Sequence, residues 1–382
     1  MAVKSRATAL KVHFAQESEL LETANIPEPG LEYLLPVRQA FIARWSIATD
    51  TAFIGIQDIS QFRRRYALKP EGGLSSPRLH RTISGSAEPV HSKKQRRTEM
   101  TDKASTTPTR FADLQDRKIA YRRFGAGRPL VLNIRFRGTM DSWDPLFLDE
   151  LAKNFEVIIY DYSGLGASTG NPTYDRASLV KDAKDLVDFL GLEKVVIGGW
   201  SLGGVVAQKF TATHPELVSH TVLIGTAPPG KPEVSGERLF METAMHSHNG
   251  LDDQIILFFE PTSERSKEAA RRSVERIDSR TNDVSPNIPE TVFMKLLSEA
   301  KDRTTIYPDP DGVEMAKLAA GGTPVLVVSG DHDIACPIGN WLTLTTKWKS
   351  LHLLAIPQAG HGPHHQEPLF CAETVTSFVD NI

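Results

Sequence analysis

Residues 196–208 read VIGGWSLGGVVAQ and set one serine, Ser201, among four glycines between a β-branched apolar run and a segment of helical spacing. That crowding has a physical use where a strand turns abruptly into a helix. The serine must then adopt a strained backbone with its hydroxyl held outward. Gly199 and Gly203 carry no Cβ to collide across so sharp a bend, and Gly204 lets the helix lie close to the sheet. The first amides of the helix point at whatever bonds to Ser201, so the Leu202 N–H is placed to stabilise a developing oxyanion.

A serine hydroxyl attacks well only when a base takes its proton and an acid orients that base. Both residue types follow at the ends of later apolar runs: GDHD at 330–333, with Asp331 and Asp333, and QAGHGPHH at 358–365, with His361. His332 lies between two carboxylates of one loop and has no separate approach to Ser201, so it is expected to be solvated or bonded locally. His364 and His365 are expected at the surface or at a helix start. A zinc site needs three or four ligands converging from fixed elements, and no such spacing is present, so no metal is called for. No glycine-rich phosphate loop calls for an organic cofactor.

The chain of 382 residues, 40% hydrophobic and 24% charged with a formal net charge of −3, has the composition of an ordinary globular protein. It lacks a basic footprint for nucleic acid and any apolar run long enough to span a membrane. Two cysteines, Cys336 and Cys371, form no disulfide framework; a reducing, cytoplasmic setting is expected, with Cys336 serving in packing. Residues 1–105 hold 16 Lys+Arg against 11 Asp+Glu (+5), which leaves 28 against 36 (−8) for the rest. With the basic clusters FRRRY (62–66) and KKQRR (93–97) and a Gly/Ser/Pro-rich stretch at 71–89, this part is read as a disordered or dispensable extension. KKQRR is read as solvated surface, with nuclear localisation or phosphate binding as the alternative. Met100 is a second plausible start.

From residue 106 the chain alternates strand-like and helix-like segments, the order of a mostly parallel sheet covered by helices. RFADL and KIAYRRF (118–124) suggest a hairpin. PLVLNI, FEVIIYD, VVIGG, HTVLIG, PVLVVSG and HLLAIP then suit buried parallel strands. Between the fourth and fifth of these lies a helix-rich insertion, about 228–318, longer than an ordinary crossover. It is expected to form a helical lid over the carboxyl ends of the strands; extra scaffold is the alternative.

Ser, Asp and His in that chain order, each after an apolar strand, resemble the α/β-hydrolase fold family. So do YDYSGLGAS (160–168) and GDHD (330–333), which look like its Asp-x-x-Gly-x-Gly-x-Ser turn and its Gly-x-x-Asp acid loop. The resemblance implies Ser201 as nucleophile, His361 as base and Asp333, rather than Asp331, as the acid. It departs where the third strand often ends His-Gly: here it runs LNIRF (132–136), which aligns Ile134-Arg135 with His-Gly and leaves the Phe136 amide as second oxyanion donor.

Arg135 in place of glycine is expected to narrow the entrance or meet an anionic substrate. Its loop is expected to be braced over Trp143 by an ion-pair network of Arg135, Arg137 and Asp141. Met140 and Phe136 are expected to line an apolar acyl pocket, and Trp200 to face the substrate. The implied activity is hydrolysis of a small, fairly apolar ester, thioester or lactone. Perhydrolase, carbon–carbon hydrolase or lyase chemistry, and a non-catalytic receptor or scaffold, are the alternatives.

Overall fold

The computed structural model describes residues 103–299 and 307–382, all within one compact unit. Apart from residues 103–105, the extension and its basic clusters lie outside the described residues. The Ala104 amide donates to Asp149 Oδ1 (2.7 Å), and the buried Arg280 donates to the carbonyls of Ala104 and Thr107, so residues 103–107 pack on the domain.

An eight-stranded sheet forms the centre. Its strands are β1 (Arg110–Asp113), β2 (Lys118–Gly125), β3 (Arg128–Asn133), β4 (Phe155–Tyr160), β5 (Val195–Trp200), β6 (Val218–Ile224), β7 (Val325–Gly330) and β8 (Leu351–Ile356). Their order across the sheet is β1-β2-β4-β3-β5-β6-β7-β8. The β1–β2 hairpin and the β2–β4 pair are antiparallel and every other pair is parallel. Strands such as β5 and β7, buried at every position, are covered on both faces, which explains their unbroken apolar character. The helices α1 (Pro145–Leu151), α2 (Arg176–Phe189) and α3 (Leu202–Thr213) flank the sheet. So do α8 (Val313–Ala320) and α11 (Pro368–Asn381), with the short α9 (Gly339–Leu342) between β7 and β8 in the chain: α1 packs against α11, and α3 against α2 and α8.

Strand order reverses between β3 and β5. Consecutive crossovers leave in opposite directions there, so the loops after the two strands diverge and open a crevice at their carboxyl ends. The insertion between β6 and β7 carries α4 (Arg238–Ala244), α5 (Leu251–Phe258), α6 (Glu264–Asp278) and α7 (Glu290–Glu299). Its last helix, α8, joins the sheet-flanking layer, with Lys209 of α3 bonded to Glu314. Among the described residues no helix is long and apolar enough to cross a membrane.

Candidate active site

Ser201 occupies the turn between β5 and α3 with φ 56° and ψ −118°, the strained geometry expected from the sequence. Its amide donates to the Ile224 carbonyl (2.9 Å), and Thr226 Oγ1 donates to its carbonyl (2.7 Å), so the end of β6 and the loop after it hold both sides of the bend. A Cβ at Gly203 would lie 1.9 Å from the Asn133 carbonyl oxygen, and one at Gly199 would lie 2.0 Å from that of Gly203. Only glycine permits this approach of α3 to the end of β3. As the first residue of α3, Leu202 has no acceptor for its N–H within the helix.

The loop after β7 supplies the carboxylate. Asp333 is buried, and its Oδ1 accepts from the amides of Ala335 and Cys336, both at 2.8 Å. His361, on the loop after β8, brings Nδ1 to 3.0 and 2.9 Å from Asp333 Oδ1 and Oδ2. The carboxylate thereby fixes Nδ1 as the protonated nitrogen and leaves Nε2 as a lone-pair base. Nε2 is buried without a protein partner, and the ring borders the same cavity as Ser201. Asp331 instead accepts from the Ala359 amide (3.3 Å) and pairs with His332 (2.6 Å) at the exposed rim of its own turn. The geometry therefore separates the two aspartates that the sequence left open.

The loop after β3 is anchored from below. Asn133 donates to the Gly198 carbonyl (2.8 Å) and accepts from Tyr160 Oη (2.5 Å), while Tyr162 Oη donates to the Ile134 carbonyl (3.0 Å). Phe136 is half-buried on the cavity wall, its ring 5.1 Å from that of Tyr174 and 6.2 Å from that of Phe293.

Two expectations for this loop fail. Met140 is buried in the core and does not line the cavity; its amide donates to Asp161 Oδ1 (2.7 Å), which pulls the side chain beneath the loop. The ion-pair network among Arg135, Arg137 and Asp141 does not form. Asp141 pairs with Arg122 and Arg280, from distant segments, whereas Arg137 donates to the carbonyls of Ala244 (2.5 Å), His246 (2.9 Å) and Ser247 (3.3 Å). Trp143 does pack beneath, 6.1 Å from the Trp200 ring.

Ser201, His361 and Phe136 border one cavity of about 820 Å³, whose other walls come from the insertion, among them Phe240, Leu257, Phe258 and Ile288. Trp200 belongs to the wall but is fully covered. Its Nε1 donates to the His361 carbonyl (2.8 Å), so it braces the histidine loop rather than meeting solvent. None of these insertion residues is marked by a local motif; they were legible only as apolar positions of the insertion.

His364 and His365 sit at a helix start, α10 (Pro363–Gln366), but not at the surface: both are buried against Trp200, at ring distances of 4.7 Å each. Burial pushes His364 well down and His365 to about 4, so both are neutral at pH 7. Asp161 in the turn after β4 goes the other way: burial raises it to about 6, despite bonds from Met140, Ala167 and Ser285.

Asp333, Cys336 and His361 are the described residues that bring potential metal-binding atoms together, all within 4.8 Å. Their chemistry does not suit an ion. Burial and the Asp333 charge push the Cys336 thiol far up, which keeps it protonated, and both carboxylate oxygens already face the imidazole.

Comparison with known proteins agrees with this frame. The chain is 23% identical over 284 residues to a proline iminopeptidase of Pestalotiopsis fici, covering 71% of this chain and 99% of the relative. It is 26% identical over 262 residues to a non-heme haloperoxidase of Rhodococcus erythropolis, covering 64% and 89%. An alpha/beta hydrolase fold protein from Chitinophaga pinensis superposes with a TM-score of 0.63 at 25% identity, covering 74% of this chain and all of that one. The family model for the alpha/beta hydrolase fold matches residues 129–368, a span from the start of β3 to the start of α11. With sheet order, elbow and sequence match in agreement, the chain belongs to the alpha/beta hydrolase fold family.

Proposed function

We propose that this protein is a serine hydrolase that transfers the acyl group of a small ester, thioester or lactone to water. In the first half-reaction Ser201 Oγ bonds to the substrate carbonyl carbon while His361 Nε2 takes the hydroxyl proton. The tetrahedral oxyanion accepts from the Leu202 and Phe136 amides, and its collapse expels the alcohol or thiol, protonated by His361. Water then repeats the sequence on the acyl-enzyme and frees the acid. Asp333 holds the imidazole in the tautomer that both steps need.

One observation carries this reading. His361 turns Nδ1 to both oxygens of a buried carboxylate and leaves Nε2 without a partner, and His361 borders the cavity that the strained Ser201 also borders. The relatives support the class but do not select the acyl acceptor or leaving group, since a peptidase and a haloperoxidase share the frame. Helices α4 to α7 act as a lid that excludes water from the acyl-enzyme, and their apolar side chains favour an apolar substrate body.

A fluorophosphonate probe tests the proposal. Wild-type protein is labelled once, at Ser201, and Ser201→Ala abolishes both labelling and turnover of p-nitrophenyl esters graded in chain length. Absence of labelling in the folded wild-type protein overturns it.

A further inference from the structure

Arg135 is a cation in the cavity wall with most of its hydrogen-bonding capacity unused. Its guanidinium carbon lies 5.1 Å from the Trp200 ring centroid and 4.7 Å from that of Phe258. Nη1 donates to the Phe136 carbonyl (2.8 Å), and Nε is buried with no partner. Among the described residues no carboxylate pairs with it, and the side chain remains partly open to the cavity. A cation withdrawn from water in this way is costly unless an anion reaches it. Burial, and then the neighbouring Arg137, lower Arg135 to about 10, which still leaves it charged at pH 7.

The other arginines of the wall are committed. Arg137 spends its N–H groups on the carbonyls of Ala244, His246 and Ser247, and Arg280 on those of Ala104, Thr107 and Asp283 and on the Asp283 carboxylate. His364 and His365 are neutral. The acids Asp278 and Glu290 stand at the exposed rim. The N–H groups left over on Nη1 and Nη2 match one planar monoanion; a phosphate dianion would want a second cation. The fork also lies close to the chemistry, since Trp200 precedes Ser201 and the Phe258 ring is 6.5 Å from that of His361.

We propose that Arg135 binds a carboxylate carried by the substrate, so that the ester class taken by this site bears a free carboxylate. The proposal rests on the serine-hydrolase reading above and narrows it. The aromatic rings beneath the guanidinium hold it in place through cation–π contact and leave its edge free for the anion.

Two matched ester pairs test it: p-nitrophenyl hexanoate against mono-p-nitrophenyl adipate, with the charge on the acyl side, and phenyl acetate against 4-carboxyphenyl acetate, with the charge on the leaving group. In wild-type protein the ratio of kcat/KM, charged over neutral, is about 10 to 100 in one of the pairs, the value of a charge-assisted hydrogen bond. That ratio falls to about one in Arg135→Gln and is partly kept in Arg135→Lys. Adipate, but not dimethyl adipate, raises the melting temperature of wild-type protein, a readout that needs neither turnover nor a folded variant. Ratios near one in both pairs with no adipate stabilisation overturn the proposal, as does a preference that persists in Arg135→Gln. Fluorophosphonate labelling separates the two failures. A labelled enzyme with flat ratios loses only the carboxylate assignment, and an unlabelled protein that adipate still stabilises loses only the hydrolytic chemistry.

Discussion

Asp333→Asn is the most informative single substitution. Asp333 Oδ1 accepts from two backbone amides at 2.8 Å, a pair of bonds only an oxygen can receive. The asparagine oxygen must therefore occupy that position, which puts its NH2 group where Oδ2 stood, 2.9 Å from His361 Nδ1. A donor there opposes the Nδ1 proton; Nδ1 keeps only the longer contact to Oδ1 (3.0 Å), an oxygen already taken by two amides, so the tautomer with the ring proton on Nε2, the nitrogen that must take the Ser201 proton, is favoured. The two amide bonds survive, so the loop and the fold persist. Activity does not: the wrong tautomer costs about 10⁴-fold in kcat, which at about 1.4 kcal/mol per tenfold is on the order of 5 to 6 kcal/mol of transition-state stabilisation.

The assay is steady-state hydrolysis of a short p-nitrophenyl ester, with circular dichroism as a check on folding. Asp331→Asn is the control, since that carboxylate serves its own turn and the half-exposed His332, and its kcat should stay within about twofold of wild type because surface changes away from the chemistry perturb little. A folded Asp333→Asn with more than a tenth of wild-type kcat, or an Asp331→Asn enzyme that is the one disabled, refutes the assignment.

Gly203→Ala is expected to disable the elbow, because its Cβ would meet the Asn133 carbonyl at 1.9 Å; melting falls along with Ser201 labelling, and unchanged labelling would contradict the close approach. Acid should destabilise the fold through His365. Its folded value of about 4 lies below its ordinary 6.5, so the unfolded chain binds the extra proton and stability drops as pH falls from 6.5 toward 4. At about 1.4 kcal/mol per pH unit that gap is on the order of 3 kcal/mol, measurable by urea unfolding at several pH values; His365→Asn should make the slope shallower and leave the part that His364, also lowered by burial, contributes. Arg122→Leu removes one partner of the buried pair with Asp141 and should cost about 3 to 5 kcal/mol in unfolding free energy. Denaturation midpoints equal to wild type would show that Arg280 alone satisfies Asp141.

The features legible in the linear chain are those whose physics is local. Glycines around Ser201 announce a turn because only they avoid the collision, whatever surrounds them. The unbroken apolar runs announce buried parallel strands, and their spacing announces that Asp333 and His361 follow strand ends. What escaped depends on segments far apart in the chain.

His364 and His365 look like surface polar residues beside a proline. They are buried because α10 is pressed against Trp200, and Ser273 of α6 reaches His365 from the insertion. Asp141 sits four and six residues from the candidates Arg137 and Arg135, yet its partners are Arg122 and Arg280, because a buried carboxylate is satisfied by whichever cations the packing brings. Met140 is apolar and in the right loop, and the Asp161 bond to its amide turns it into the core.

Chain order, the elbow and the strand framework were thus determined by sequence alone, since hydrophobic periodicity and glycine sterics act over a few residues. Tertiary structure decided which aspartate faces the histidine, which loop side chains reach the cavity, and that Arg135 faces it without a counter-ion. Those outcomes depend on distances between elements that no local pattern encodes.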